Sequence, residues 1–161
     1  MEELVKVLKE KSKTIASCES LTGGLFASSI VDVSGASSVL VGSYVTYMDK
    51  CKETLLDGKE VLDSVGAISK EMAYLMAYKV KEKLGSNIAV SFTGNAGPTV
   101  CEGDKEVGLI YISIYFEKNF YTEEYHLNID RNAIRETAVD IALKNILKIL
   151  EKNLKNPHLC I

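Results

Sequence analysis

The sequence predicts an α/β protein, a three-layer α/β/α domain built on a mostly parallel sheet. Two observations predict it. Strand-like and helix-like stretches alternate along the chain, and the series ends in two adjacent strand stretches that read as a hairpin. The 161 residues are 47% hydrophobic and 25% charged, which suits a single domain with a full core over residues 1–161.

The elements follow in order. Leu4, Val5 and Leu8 recur at helical spacing across residues 2–11. Residues 14–18 are a short strand. A helix is expected from Thr22 to Val33, stopped by Ser34-Gly35. SVLVGSYVTYM, residues 38–48, is rich in β-branched and aromatic residues and reads as a strand. Asp49 is expected to cap a short helix through Leu56, which Gly58 ends. Ser69 opens a clearer helix, KEMAYLMAYKVKEKL, closed by Gly85. IAVSFTG, residues 88–94, is an apolar strand that breaks at Gly94, and NAGPTVCEGDKE is a loop. VGLIYISIYF pairs with FYTEEYHL across EKN, without the Asn-Gly turn that would mark a tight hairpin. A last helix runs from Asp130 to about Lys155.

Composition excludes several classes of function. The net charge of −3, with acids and bases interspersed, gives no dedicated surface for nucleic acid or an anionic membrane. No apolar run reaches spanning length, and MEELVKVLKEK has the pattern of an amphipathic helix, not a signal peptide. Cys18, Cys51, Cys101 and Cys160 form no C-x-x-C pair, and His126 and His158 lie at no metal-ligand spacing. A cytoplasmic protein with reduced thiols, no metal and no cofactor is expected; Cys160, in the tail after Pro157, is given no structural part.

In an open parallel sheet, ligands bind beyond the carboxyl ends of the strands. Three loops fall there: SCESLTGG, YMDKCK and TGNAGP. The first admits three readings. Ser20 or Thr22 caps the next helix, the helix start cradles a phosphate, or a serine nucleophile sits on the bend. No G-x-G-x-x-G, P-loop or G-x-S-x-G pattern supports a standard version of the last two. A nucleophilic serine needs a base, and a lysine can serve. Lys50 and Lys52 stand in a first helical turn, where the helix dipole disfavours cations, so one is a candidate base and the other merely tolerated. In the last helix, Ala138, Val139, Ala142, Ile146, Ile149 and Leu150 share one face, and Arg131 and Arg135 fall on it at the N-terminal end. Two readings stay open for that pair: a buried salt bridge to a carboxylate such as Glu19, or a phosphate or carboxylate site.

Taken together, ESLTGG (19–24), SGASSV (34–39), YVTYMDKCK (44–52), GAIS (66–69), TGNAGP (93–98), VGLIYI (107–112) and DRNAIRETA (130–138) resemble the CinA C-terminal domain family, the nicotinamide mononucleotide deamidases. The resemblance spans nearly the whole chain. It implies a mixed five-stranded sheet and metal-free hydrolysis of the nicotinamide mononucleotide carboxamide to nicotinic acid mononucleotide and ammonia. It puts the catalytic serine, tyrosine and lysine on Ser20, Tyr47 and Lys52. Substrate contacts are expected from Glu19, Thr22, Gly23, Gly24, Thr93, Gly94, Asn95, Ala96, Gly97, Arg131 and Arg135. The amides of Thr22, Gly23 and Gly24 are the expected oxyanion donors, Glu19 positions the corner, and Tyr47 relays or positions a proton. By analogy with the family the protein is a homodimer or higher homo-oligomer, and its partner is a small pyridine nucleotide. Many relatives carry this domain behind a larger N-terminal one. The typical motifs are ES-C/L-TGG, VTYSNEAK and GIAGP; Met48, Asp49, Lys50 and Asn95 depart from them. The alternative reading is a nucleotide-binding or interaction module associated with competence, with little or no turnover.

Overall fold

The structure is a computed structural model that describes residues 1–100 and 105–155, the side chains of 153–155 excepted. Cys101, Cys160, His158 and most of the TVCEG stretch lie outside the described residues.

Among the described residues, five strands and six α-helices follow in the order α1 (Glu2–Glu10), β1 (Ile15–Glu19), α2 (Leu25–Val31), β2 (Leu40–Val45), α3 (Asp49–Leu56), α4 (Lys59–Val65), α5 (Lys70–Leu84), β3 (Ile88–Gly94), β4 (Leu109–Phe116), β5 (Asn119–His126) and α6 (Arg131–Lys155). A 3₁₀ turn, Ala36–Ser38, leads into β2. The strand order is β2-β1-β3-β4-β5. β1 pairs in parallel with both β2 and β3, and β4 and β5 add antiparallel, so the sheet is mixed as expected.

Strand β1 is buried along its whole length, as a central parallel strand must be. Its alternate residues enter two cores. Ile15 joins Val90, Phe92, Phe26, Ile30 and Ile134 under α1, α2 and α6, together with Leu4, Val5 and Leu8 of α1. Ala16 and Cys18 join Ala89, Leu56, Met72, Met76 and Val80 under α3 and α5. Each large aliphatic side chain so buried contributes about 1.5–3 kcal/mol relative to exposure. On α6, Ala138, Val139, Ala142, Ile146 and Leu150 are buried and Ile149 packs at the margin, in line with the single face read from the sequence.

Several local expectations are corrected. Helix α2 begins at Leu25, with Gly24 in the left-handed region as its N-cap, and neither Ser20 nor Thr22 caps it. Met48 is the N-cap of α3, and Asp49 is its first residue. The β4–β5 turn has Glu117 and Lys118 both at positive φ, 48° and 67°, a two-residue hairpin made without glycine or asparagine. Helix α4 was not expected; it is seven residues long, none of them fully buried, and Val61 and Leu62 pack partly buried at the margin of the second core. Ser69, whose hydroxyl accepts from the Met72 amide, and Gly85 bound α5 as read. Among the described residues no helix is long and apolar enough to cross a membrane.

Connections from β1 leave over one face of the sheet through α2, and those from β2 return to β3 over the other face. The carboxyl end of β1 is therefore a topological switch point, where a crevice opens between diverging loops. The corner after β1 is tied to both neighbouring strands: the Ser20 amide donates to the Phe92 carbonyl, and the Thr46 amide to the Glu19 carbonyl.

Candidate active site

The crevice holds a cleft of about 180 Å³ lined by Ser20, Leu21, Tyr47, Asp49, Lys52, Ala67, Ile68, Thr93, Gly94, Asn95, Ala96 and Arg131. The three strand-end loops supply most of it, and the Ala67-Ile68 segment before α5 and Arg131 of α6 complete the wall. At its floor the Lys52 Nζ lies 3.3 Å from Ser20 Oγ and 3.3 Å from the Tyr47 carbonyl oxygen. Asp49 Oδ1 is 3.5 Å away. Lys52 is 1% exposed, a rare state for a lysine. Burial pushes its ammonium below the ordinary lysine value, and Asp49 works in the opposite direction. Lys50, two residues earlier, is exposed and pairs with Glu53 at 3.4 Å. The two lysines of the first turn thus separate cleanly into one buried at the serine and one in solvent.

The Ser20 corner is held from both sides. From within, the fully buried Glu19 carboxylate accepts the amides of Gly24 (3.0 Å), Phe26 (3.1 Å) and Ala27 (3.0 Å), and the Ser17 hydroxyl at 3.0 Å. It thereby caps α2 from five residues upstream, and the charge meets the positive end of the helix. From outside, Arg135 donates Nε to the Leu21 carbonyl (3.1 Å) and Nη2 to the Thr22 carbonyl (3.0 Å). Neither open reading of the arginine pair describes Arg135: it makes no ion pair with Glu19 and does not line the cleft. Its guanidinium is a strut on the backbone.

Arg131, one turn earlier, does reach the cleft. Its Nη1 donates to the Gly97 carbonyl and its Nη2 to the Tyr47 hydroxyl at 2.9 Å. Tyr47 is 56% exposed, and its hydroxyl contacts neither Ser20 nor Lys52. What Tyr47 offers Lys52 is its backbone carbonyl oxygen, while its hydroxyl is engaged with Arg131.

The expected substrate contacts divide accordingly. Thr93, Gly94, Asn95, Ala96 and Arg131 line the cleft; Glu19, Thr22, Gly23, Gly24, Gly97 and Arg135 do not. The amides of Gly23 and Gly24 are spent on the Ser20 carbonyl and the Glu19 carboxylate, which corrects their reading as oxyanion donors. The amides of Leu21 and Thr22 form no hydrogen bond among the described residues. Asn95 lines the wall but its side chain is engaged in its own loop, accepting the Gly97 amide at 2.8 Å and donating to the Lys105 carbonyl at 2.9 Å. Thr93 ties β3 to the opposite wall through the Ala67 carbonyl at 2.6 Å. Gly94 admits no side chain, since a Cβ there would stand 2.6 Å from both Ile110 Cγ2 and the Leu109 carbonyl oxygen.

Leu21, Asp49, Ala67 and Ile68 were missed as cleft residues. Ala67 and Ile68 lie in the GAIS segment, which carries the resemblance but no chemical group to single them out. Cys18, beneath the cleft, bonds Thr46 Oγ1 at 3.6 Å; burial pushes its thiol up to about 12, so it stays neutral and is no rival nucleophile. Among the described residues no group of three or more His, Cys, Asp or Glu side chains could hold a metal ion.

The comparisons agree with this architecture. The family model for the CinA C-terminal domain matches residues 1–150. A CinA-like protein of Prochlorococcus marinus (strain AS9601) is 41% identical over 156 residues, covering 94% of this chain and 37% of that protein. A CinA-like protein of Thermotoga maritima is 40% identical over 153 residues, with 94% and 37% covered. The chain therefore spans 37% of the length of these curated relatives. Among solved structures, the competence/damage inducible protein CihA from Agrobacterium tumefaciens superposes with a TM-score of 0.86 at 31% identity, covering 92% of each chain. A CinA superfamily protein from Klebsiella pneumoniae 700603 shares the fold, with a TM-score of 0.89 at 22% identity over 94% of this chain and 95% of that one.

Proposed function

We propose, for a chain that belongs to the CinA C-terminal domain family, that the cleft hydrolyses the carboxamide of nicotinamide mononucleotide to nicotinic acid mononucleotide and ammonia. The observation that carries the reading is the contact of Ser20 Oγ with a fully buried lysine amine. A serine hydroxyl is a poor nucleophile until a base takes its proton, and a lysine is a base only when burial lowers its pKa.

The steps are these. Neutral Lys52 accepts the Ser20 proton as Oγ bonds to the carboxamide carbon. The carbonyl oxygen takes the negative charge and is met by the amide of Leu21, the donor left unspent at the corner that lines the cleft. The tetrahedral centre collapses, the C–N bond breaks, and the Lys52 ammonium returns the proton to the leaving nitrogen, which departs as ammonia. Water then gives a proton to the same amine as its oxygen bonds to the ester carbon; the C–Oγ bond breaks, the Lys52 ammonium returns that proton to Ser20 Oγ, and the acid leaves. Arg131, at the mouth, is suited to the 5′-phosphate, since a guanidinium can exchange its carbonyl and hydroxyl acceptors for a charged one. Ile68 and Leu21 supply apolar wall for the pyridine ring.

The test is ammonia release over a panel of pyridine nucleotides and free amides. Release from the mononucleotide is expected, and Ser20→Ala should bind it without turning it over. Ligand-induced stabilisation with no ammonia from any member of the panel would favour the binding-module reading. Near-normal turnover by the purified Ser20→Ala protein would remove the serine from the mechanism.

A further inference from the structure

The Lys52 Nζ has three acceptors around it: Ser20 Oγ at 3.3 Å, the Tyr47 carbonyl at 3.3 Å and Asp49 Oδ1 at 3.5 Å. An ammonium has three protons to place, so the charged lysine is matched one to one. A neutral amine has two N–H bonds and one lone pair. If both N–H bonds stay on the carbonyl and the carboxylate, the lone pair is left facing the serine hydroxyl. The arrangement therefore orients the base, and Asp49 is one of the two groups that do it.

We propose that Asp49 is a positioning residue that acts through Lys52: its carboxylate anchors the lysine nitrogen beside Ser20 and sets the pH at which that nitrogen is free to accept a proton. The inference rests on the amide-hydrolysis reading of the cleft. Asp49 stands at the first position of α3 and Lys52 one turn on, so one helix holds both. The pair is lopsided, a side chain 65% exposed against one 2% exposed. A carboxylate at the cleft wall thus reaches a buried cation, with water screening its outer side only.

The other groups around the lysine do not duplicate this one. From α3 itself there is Cys51, and from β1 the neutral Cys18. From the segment after β2 there is the Tyr47 carbonyl, and across the cleft stands Arg131 of α6. Asp49 is the one carboxylate in ion-pair contact with Lys52 among the described residues. It is also one of this chain's departures from the typical family motif, which has asparagine there.

Two variants separate charge from orientation. Asp49→Asn keeps an acceptor oxygen and removes the charge; Asp49→Ala removes both. The first readout is the titration of the Lys52 side chain in the folded protein, followed by NMR of ε-carbon-labelled lysine. The second is the pH profile of kcat/KM with nicotinamide mononucleotide. In Asp49→Asn the lysine midpoint should fall by half a pH unit or more, and the rising limb of activity should move with it. At a pH below both midpoints the variant would then reach at least about three times the wild-type fraction of its own plateau. Asp49→Ala should show the same displacement and, in addition, a plateau kcat lower by about tenfold, because the amine loses an orienting acceptor. Asp49→Glu should restore the wild-type midpoint. An unmoved Lys52 titration in Asp49→Asn overturns the inference. A moved titration in a protein that releases no ammonia leaves the inference standing and overturns the amidase reading instead.

Discussion

Lys52 Nζ lies 3.3 Å from Ser20 Oγ although 32 residues separate them, and only 1% of the lysine is exposed. That contact has opposed consequences for catalysis and for stability. A lysine kept ready as a base must also be a lysine whose charge the fold disfavours.

The catalytic consequence is that Lys52→Arg should be nearly inactive, because a guanidinium stays protonated at any working pH. For the stability consequence, the folded-state value of Lys52 is lowered from the ordinary 10.5. Between the two values the unfolded chain binds more protons than the folded one, so stability rises with pH across that window. Lys52→Met should remove this dependence. The variant is expected to be more stable than the wild type at neutral pH, the gain shrinking as pH approaches 10. Denaturant midpoints at pH 7 and pH 9.5 would check it, and a less stable Lys52→Met protein would show the lysine to be structural.

Arg131 and Arg135 should respond differently to alanine. Arg131→Ala is expected to weaken binding of nicotinamide mononucleotide by about tenfold or more while sparing nicotinamide riboside, since a hydrogen bond to a charged group is worth roughly 1.5–3 kcal/mol. Arg135→Ala frees the Leu21 and Thr22 carbonyls and should weaken both ligands alike, with a lower melting temperature. Equal losses for the two ligands in Arg131→Ala would assign that arginine to the loop and not to phosphate.

Glu19 is expected to matter for the corner and not for the chemistry. Glu19→Ala strands three amides beneath α2, and each unsatisfied buried donor costs about 1–3 kcal/mol, so a loss of at least about 3 kcal/mol is expected. For a chain of this size that lowers Tm by about 6–12 °C. Calorimetry would read it, and a fall of only a degree or two would mean that water replaces the carboxylate.

Much of the scaffold was legible because its signals are local. Ser69 and Gly85 bracket α5 within a turn of the residues they cap, and β3 is a continuous apolar run bounded by Gly94. The missed elements lack such signals. Helix α4 is short and has no fully buried side chain, and the Glu117-Lys118 turn adopts positive φ without the residues that usually mark it. Helix α2 starts later than Thr22 because its cap is supplied by Glu19, on the preceding strand.

The sequence by itself determined the α/β alternation, the three strand-end loops and the residue types able to do chemistry there, since periodicity and caps are properties of a few adjacent residues. Tertiary structure decided the roles. Arg131 and Arg135 share a helix face, yet four residues at 1.5 Å rise set them about 6 Å apart, one at the cleft mouth and one behind the corner. Lys50 and Lys52 look alike in sequence, and only the seating of α3 beside α5 at the strand-end crevice buries one and leaves the other in water. The register of β1 between β2 and β3 brings Ser20 to Lys52, and no local pattern encodes a distance across a sheet.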